Sequence, residues 1–118
     1  LVGFELDVAP TAGTEIEVWW SESFSATAAT GNSGGASGSD GAYHAGEEDE
    51  WKKQLTFVGS LVCTADAATT VQRQCINGAF RPPTRYGMPV VINKSGQALE
   101  GDSVEMYVAL VPVIDEIQ

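Results

Sequence analysis

One histidine, two cysteines, a run of four acids and three tryptophans are the side chains of this 118-residue chain with chemistry to offer. A thiol–imidazole pair between His44 and Cys63 or Cys75 requires the glycine-rich stretch around His44 to fold back onto strand residues. A solvated imidazole is the simpler reading. Serine is abundant, yet no Gly-x-Ser-x-Gly elbow occurs. Glu47, Glu48, Asp49 and Glu50 could offer carboxylate oxygens to calcium. Consecutive carboxylates point in different directions, however, and no Asp-x-Asp-x-Asp-Gly spacing is present, so a solvated acidic rim is expected. Residues 31–46 lack the Lys-Ser/Thr ending that cradles a phosphate. No catalytic residue, metal ligand or cofactor is expected, and the chain reads as a non-enzyme.

The aromatic residues point instead to recognition. Trp19 faces away from Ile16, Val18 and Trp20 if the alternation around it holds, and Trp51 follows the acidic run. Tyr107 lies on the polar side of a late strand, and Tyr43 stands beside His44 among glycines. Such rings can stack on sugars or anchor a protein contact, or they can pack beneath the long loop. Two cysteines are too few for a zinc cluster. A hairpin turning near Thr69 would set Cys63 opposite Cys75 and permit a disulfide, but two buried free thiols are expected.

The elements that must position these groups are short strands. Val2, Phe4, Leu6 and Val8 alternate with polar or small residues, as do Ile16, Val18 and Trp20, and a Pro10–Gly13 turn between them predicts a hairpin. Leu55, Phe57, Gly59, Leu61 and Cys63 fall on one face of a later strand, and Thr56, Val58, Ser60, Val62 and Thr64 on the other. Such a strand suits a sheet covered partly on both sides. Residues 71–76 form another strand, ended by Asn77-Gly78. Arg81, Pro82 and Pro83 link the halves of the domain. Residues 85–110 read as a second hairpin, with Val104, Met106, Val108 and Leu110 facing inward. The count is seven or eight short strands and no helix beyond a possible turn over residues 47–55. That predicts an all-β, jelly-roll-like sandwich, with a partly open barrel as the alternative. Residues 24–50 are small, polar and glycine-rich, with an acidic end. They cannot bury enough apolar area to offset their ordering entropy unaided, and read as a long loop or arm.

Composition narrows the partners. A length of 118 residues is one domain. A mean hydropathy of -0.04 and the lack of any apolar run near ~20 residues exclude a helical membrane span. No basic-then-apolar leader is present, so no secretory signal is expected. A net charge of -10 repels a phosphate backbone, so nucleic acid is not a partner. The charge is unevenly placed. Residues 1–51 hold ten acids and no Lys or Arg, residues 52–94 hold six bases against Asp66, and residues 95–118 hold five acids and no base. This alternation predicts patches that complement one another within or between subunits, unless folding scatters them as solvated charge.

The order of features resembles a group of small virion proteins of tailed bacteriophages. The motifs carrying the likeness are Pro-Thr-Ala-Gly-Thr leading into a Val-rich strand over residues 9–20, Thr-Phe-Val-Gly-Ser-Leu-Val over 56–62, and a Pro-rich approach to a strand closed by Asn-Lys-Ser-Gly-Gln-Ala-Leu over 82–99. The likeness spans most of the chain except residues 24–50. It implies a capsid decoration or cement protein with a jelly-roll-like fold, on the outer surface of a head assembled in the host cytoplasm. Its partner would be the major capsid protein, and it would form a homo-oligomer, a dimer or a trimer. The candidate interface is then Trp19, Tyr43, His44, Trp51, Arg81, Arg85 and Tyr107, with Val113, Ile114 and Ile117 of the apolar tail. The alternative is a carbohydrate-binding or host-recognition β-sandwich of a phage tail or fibre.

Overall fold

The computed structural model of the chain describes residues 1–41, 48–66, 70–100 and 105–112. Among the described residues six strands form two antiparallel three-stranded sheets: β1 (Val2–Phe4), β2 (Glu15–Ser23), β3 (Thr56–Val62), β4 (Gln72–Gln74), β5 (Tyr86–Asn93) and β6 (Tyr107–Val108). One sheet has the order β4-β1-β6 and the other β3-β2-β5. Among the described residues helix is limited to a 3-10 turn at Ser33–Gly35 and a single α-helical turn, α1 (Glu48–Lys52). The fold class is all-β.

Neither expected hairpin forms. β1 and β2 lie in different sheets, and so do β5 and β6. Alternation says that a strand has one apolar face. It does not say whether the next strand lies beside it or across from it. Here the members of each sequence pair meet face to face. Val2, Phe4 and Leu6 of one layer pack on Ile16, Val18, Val58, Leu61 and Cys63 of the other, and Ile16 and Leu61 are fully buried. After β5 the chain crosses to the first layer. There Leu6 bridges Leu99, Asp7 N donates to Ala98 O at 3.0 Å, and Glu100 N donates to Glu5 O at 2.9 Å. Met106 and Val108 pack on the core as expected, whereas Leu110 is exposed. Pairing with β1 stops at Ala109, opposite Leu1, so Leu110 has no strand beneath it. Val104 lies outside the described residues.

The face assignment in β3 is half right, and a β-bulge explains the other half. Trp19 opposes Phe57 while Val18 opposes Gly59, which leaves Val58 as an extra residue. The insertion reverses the side-chain phase. Val58 enters the core and Phe57 turns outward to meet Trp19, the ring centroids 4.8 Å apart. Gly59 is required by contact: a Cβ there would run into the carbonyl oxygen of Ile76.

The β3-β2-β5 sheet is covered on its outer face by its own loop. Ser21 Oγ donates to Ser33 O at 2.6 Å, Ser23 Oγ donates to Thr30 O at 2.7 Å, and Asn32 Nδ2 donates to Ser21 O at 3.4 Å. The 3-10 turn packs between β2 and α1. Gly34 holds a φ of 68° there and fits beneath the buried Leu55. The first half of the glycine-rich segment is therefore a cover, held by hydroxyl–carbonyl bonds where apolar area is scarce. Residues 42–47 lie outside the described residues.

Candidate functional site

The sequence candidates among the described residues divide among four places. Trp19 and Lys52 belong to a charged cluster on the outer face of the central sheet. Glu17 of β2 is 7% exposed and accepts hydrogen bonds from Trp19 Nε1 at 2.9 Å and Lys52 Nζ at 3.3 Å. It also forms ion pairs with Lys52 and Lys94, each 2.9 Å at its shortest. Burial alone would raise the Glu17 pKa, but the two ammonium groups and the indole N–H hold it below its ordinary value of 4.5. Lys52 Nζ also stands 4.9 Å from the Trp19 ring centroid, a cation–π contact. The sign alternation in sequence thus closes partly within the chain, with acid from the first segment and bases from the second. Trp51 is half-buried in α1, next to this cluster in sequence.

Tyr107 lies on the outer face of the smaller sheet. Its ring covers Gly3 so closely that a Cβ would be 2.6 Å away, and its hydroxyl accepts from Arg73 Nε at 3.1 Å. Arg85 is exposed at the start of β5, its guanidinium 5.5 Å from the Tyr86 ring centroid. It lines an open pocket of about 340 Å³ with Trp20, Gly87 and residues 25–28. Tyr43, His44, Val113, Ile114 and Ile117 lie outside the described residues.

A second, larger concavity lies beyond Phe80, whose ring meets Trp20 with centroids 5.6 Å apart. An open groove of about 930 Å³ runs between the start of β1, the end of β6 and residues 75–82. Val2, Val58, Ile76, Phe80 and Val108 form its floor and walls, and Leu1, Leu110 and Val111 stand exposed at its rim, Val111 at 83%. Arg81 also lines it, so the groove includes one candidate that the sequence supplied and several that it did not. Ile76 and Phe80 carry no special pattern in sequence. The signal that could have marked the place is the run Ala109, Leu110, Val111, Pro112, apolar beyond the point where β1 can pair with it.

The two cysteines are free, but only Cys63 is buried; Cys75 is exposed. The expectation of two buried thiols holds for one of them. Cys75 follows β4, which belongs to the other sheet, where the chain turns outward toward the groove. Burial raises the Cys63 pKa, and contact with the Thr14 side chain only partly offsets this.

Residues missed in sequence hold the edge of β3. Gln72 and Gln74 point inward from β4, and each grips one residue of β3 or its continuation as a backbone strand would. Thr64 N donates to Gln72 Oε1 at 2.8 Å while Gln72 Nε2 donates to Thr64 O at 3.2 Å. Val62 N donates to Gln74 Oε1 and Gln74 Nε2 donates to Val62 O, both at 2.9 Å. Asn77 Nδ2 donates to Val58 O at the bulge, at 2.6 Å. An amide side chain can present an N–H donor beside a C=O acceptor, the same pair that a peptide group presents.

Among the described residues no group of three or more potential ligands is placed to hold a metal, and no helix is long and apolar enough to cross a membrane. The chain matches no known family model, no curated protein and no solved structure.

Proposed function

We propose that this chain is a structural binding protein of a phage head, a jelly-roll-like sandwich that sits on the outside of the shell and cements it through contacts with the major capsid protein. The observation that carries the reading is the apolar groove with Leu1, Leu110 and Val111 exposed at its rim. An exposed apolar patch of this kind on a small acidic domain is typical of a protein contact. Burying Leu110 and Val111 contributes about 1.5–3 kcal/mol each, modest for one copy and large for a shell of repeated copies. The assignment to a phage head draws on the likeness of residues 9–20, 56–62 and 82–99 to small virion proteins. Trp19 and Tyr107, two of the rings that a sugar-binding module would use, are already engaged by Phe57, Lys52 and Arg73.

The test is co-sedimentation of the purified protein with mature heads that lack it. Saturable co-pelleting is expected, weakened about tenfold or more by Leu110→Asp with Val111→Asp, since both side chains lie outside the core. Failure to pellet, together with tryptophan quenching by a glycan, would replace this reading by the carbohydrate-binding one.

A further inference from the structure

We infer that Asn77-Gly78 is a site of spontaneous covalent modification, a deamidation that the native fold holds in check and that unlocks the β3 bulge once it has occurred. It does not depend on what the groove binds.

The dipeptide has the chemistry. The backbone nitrogen of Gly78 can attack Cγ of Asn77 and close a cyclic imide. The new N–Cγ bond forms as the Cγ–Nδ2 bond breaks, and Nδ2 leaves as ammonia, taking the proton from Gly78 N. Water then opens the imide at either carbonyl, giving aspartate or its β-linked isomer. Asparagine is thermolabile by this route, and a following glycine sets no Cβ beside the attacking nitrogen. Both residues are exposed to the water that the second step consumes. The turn itself does not demand glycine at 78, where φ is not positive and a Cβ would meet open space.

The fold holds the amide at both ends. Asn77 Nδ2 donates to Val58 O at 2.6 Å, and Asn77 Oδ1 accepts from Ala79 N at 2.9 Å. Only this orientation of the amide satisfies both partners. The second bond closes an Asx turn, which keeps Cγ from swinging onto Gly78 N. Local opening must therefore come first.

The product reverses the contact. A carboxylate has no hydrogen to donate, so the carbonyl of Val58, the extra residue of the bulge, loses its partner and faces a charge that repels it. The same charge enters the lining of the apolar groove, to which Asn77 belongs. Because ammonia is lost, a chain that has opened there keeps the mark.

The experiment ages the full chain in mildly alkaline buffer, with and without urea above its unfolding midpoint. Conversion is read by mass on the tryptic peptide 74–85, fragmented to separate residue 77 from Gln74. The unfolded chain is expected to convert at least about tenfold faster than the native one. Gly78→Ala should slow the unfolded chain about tenfold by crowding the attacking nitrogen. Asn77→Asp should lower the urea midpoint, and the deficit should shrink below about pH 4, where a neutral carboxyl can donate in place of Nδ2. The converted fraction of the native sequence, separated by ion exchange, should show the same lowered midpoint, which keeps the test decisive if the variant does not fold. Equal rates in native and unfolded chains overturn the inference, as does an unfolded chain that stays unconverted. A midpoint unaltered by conversion overturns the unlocking step.

Discussion

The two faces of the β3-β2-β5 sheet are buried by different physics. The inner face is closed by Ile16, Val18 and Leu61 packing on Val2, Phe4 and Leu6, with little polar chemistry. The outer face is closed by a polar segment that holds on through serine hydroxyls, backbone carbonyls and the Glu17 ion cluster. Apolar burial is non-directional and indifferent to pH. A polar cover depends on geometry, protonation and salt, and its parts can open singly. A segment poor in apolar residues can thus belong to a fold, provided that the strand beneath it supplies donors and acceptors at alternate positions.

The contrast can be broken most strongly from the inside. Leu61→Ala should cost about 3 kcal/mol, read as a lower urea midpoint with an unchanged slope. Gly59→Ala should cost about 2 kcal/mol by pushing a methyl into the Ile76 carbonyl, and the loss should persist at every pH. On the outer face, Glu17→Gln should cost about 1 kcal/mol, because Lys52 and Lys94 can turn to solvent once the carboxylate is gone. Its mark would be a red shift of Trp19 emission, with the inner core still cooperative. A cost matching that of Leu61→Ala would mean that the two faces are one unit.

Acid should separate the faces without mutation. The folded-state pKa of Glu17 lies below its ordinary value of 4.5, so its contribution is fully present above that pH. It is lost as pH falls through the depressed value. Stability of the native chain should therefore fall below about pH 4.5 more steeply than that of Glu17→Gln, in parallel denaturation curves. The smallest effect concerns the thiols. A thiol reagent should modify exposed Cys75 in the native protein and Cys63 only on unfolding. Rapid loss of both thiols would mean that the inner face opens as readily as the outer.

The inward sets of β1 and β2 were legible in sequence because Val2, Phe4, Leu6, Ile16 and Val18 alternate without interruption. The turn of helix at Glu48–Lys52 was anticipated as well. Pairing was not legible, since alternation is blind to which layer a strand joins, and both presumed hairpins open across the core. Phe57 and Val58 were exchanged because a bulge adds one residue without leaving any mark in composition. The site was less legible than the fold. Trp19 was found as outward-facing, but its partners Glu17, Lys52 and Phe57 come from distant segments. Gln72 and Gln74 look like ordinary polar strand residues until the neighbouring backbone is seen.

Those two glutamines set the valence of the central sheet. A sheet with two open edges can accept a strand on each side and propagate into a fibre, whereas a sheet with one open edge is satisfied by a single partner and growth ends there. Because the stopper on the β3 side consists of side chains, point substitution loosens it in part. Gln72→Ala with Gln74→Ala would release the backbone groups of Val62 and Thr64 alone, while Asn77 still holds Val58 O and the Ile76 carbonyl still abuts Gly59, so the edge reopens only at its end.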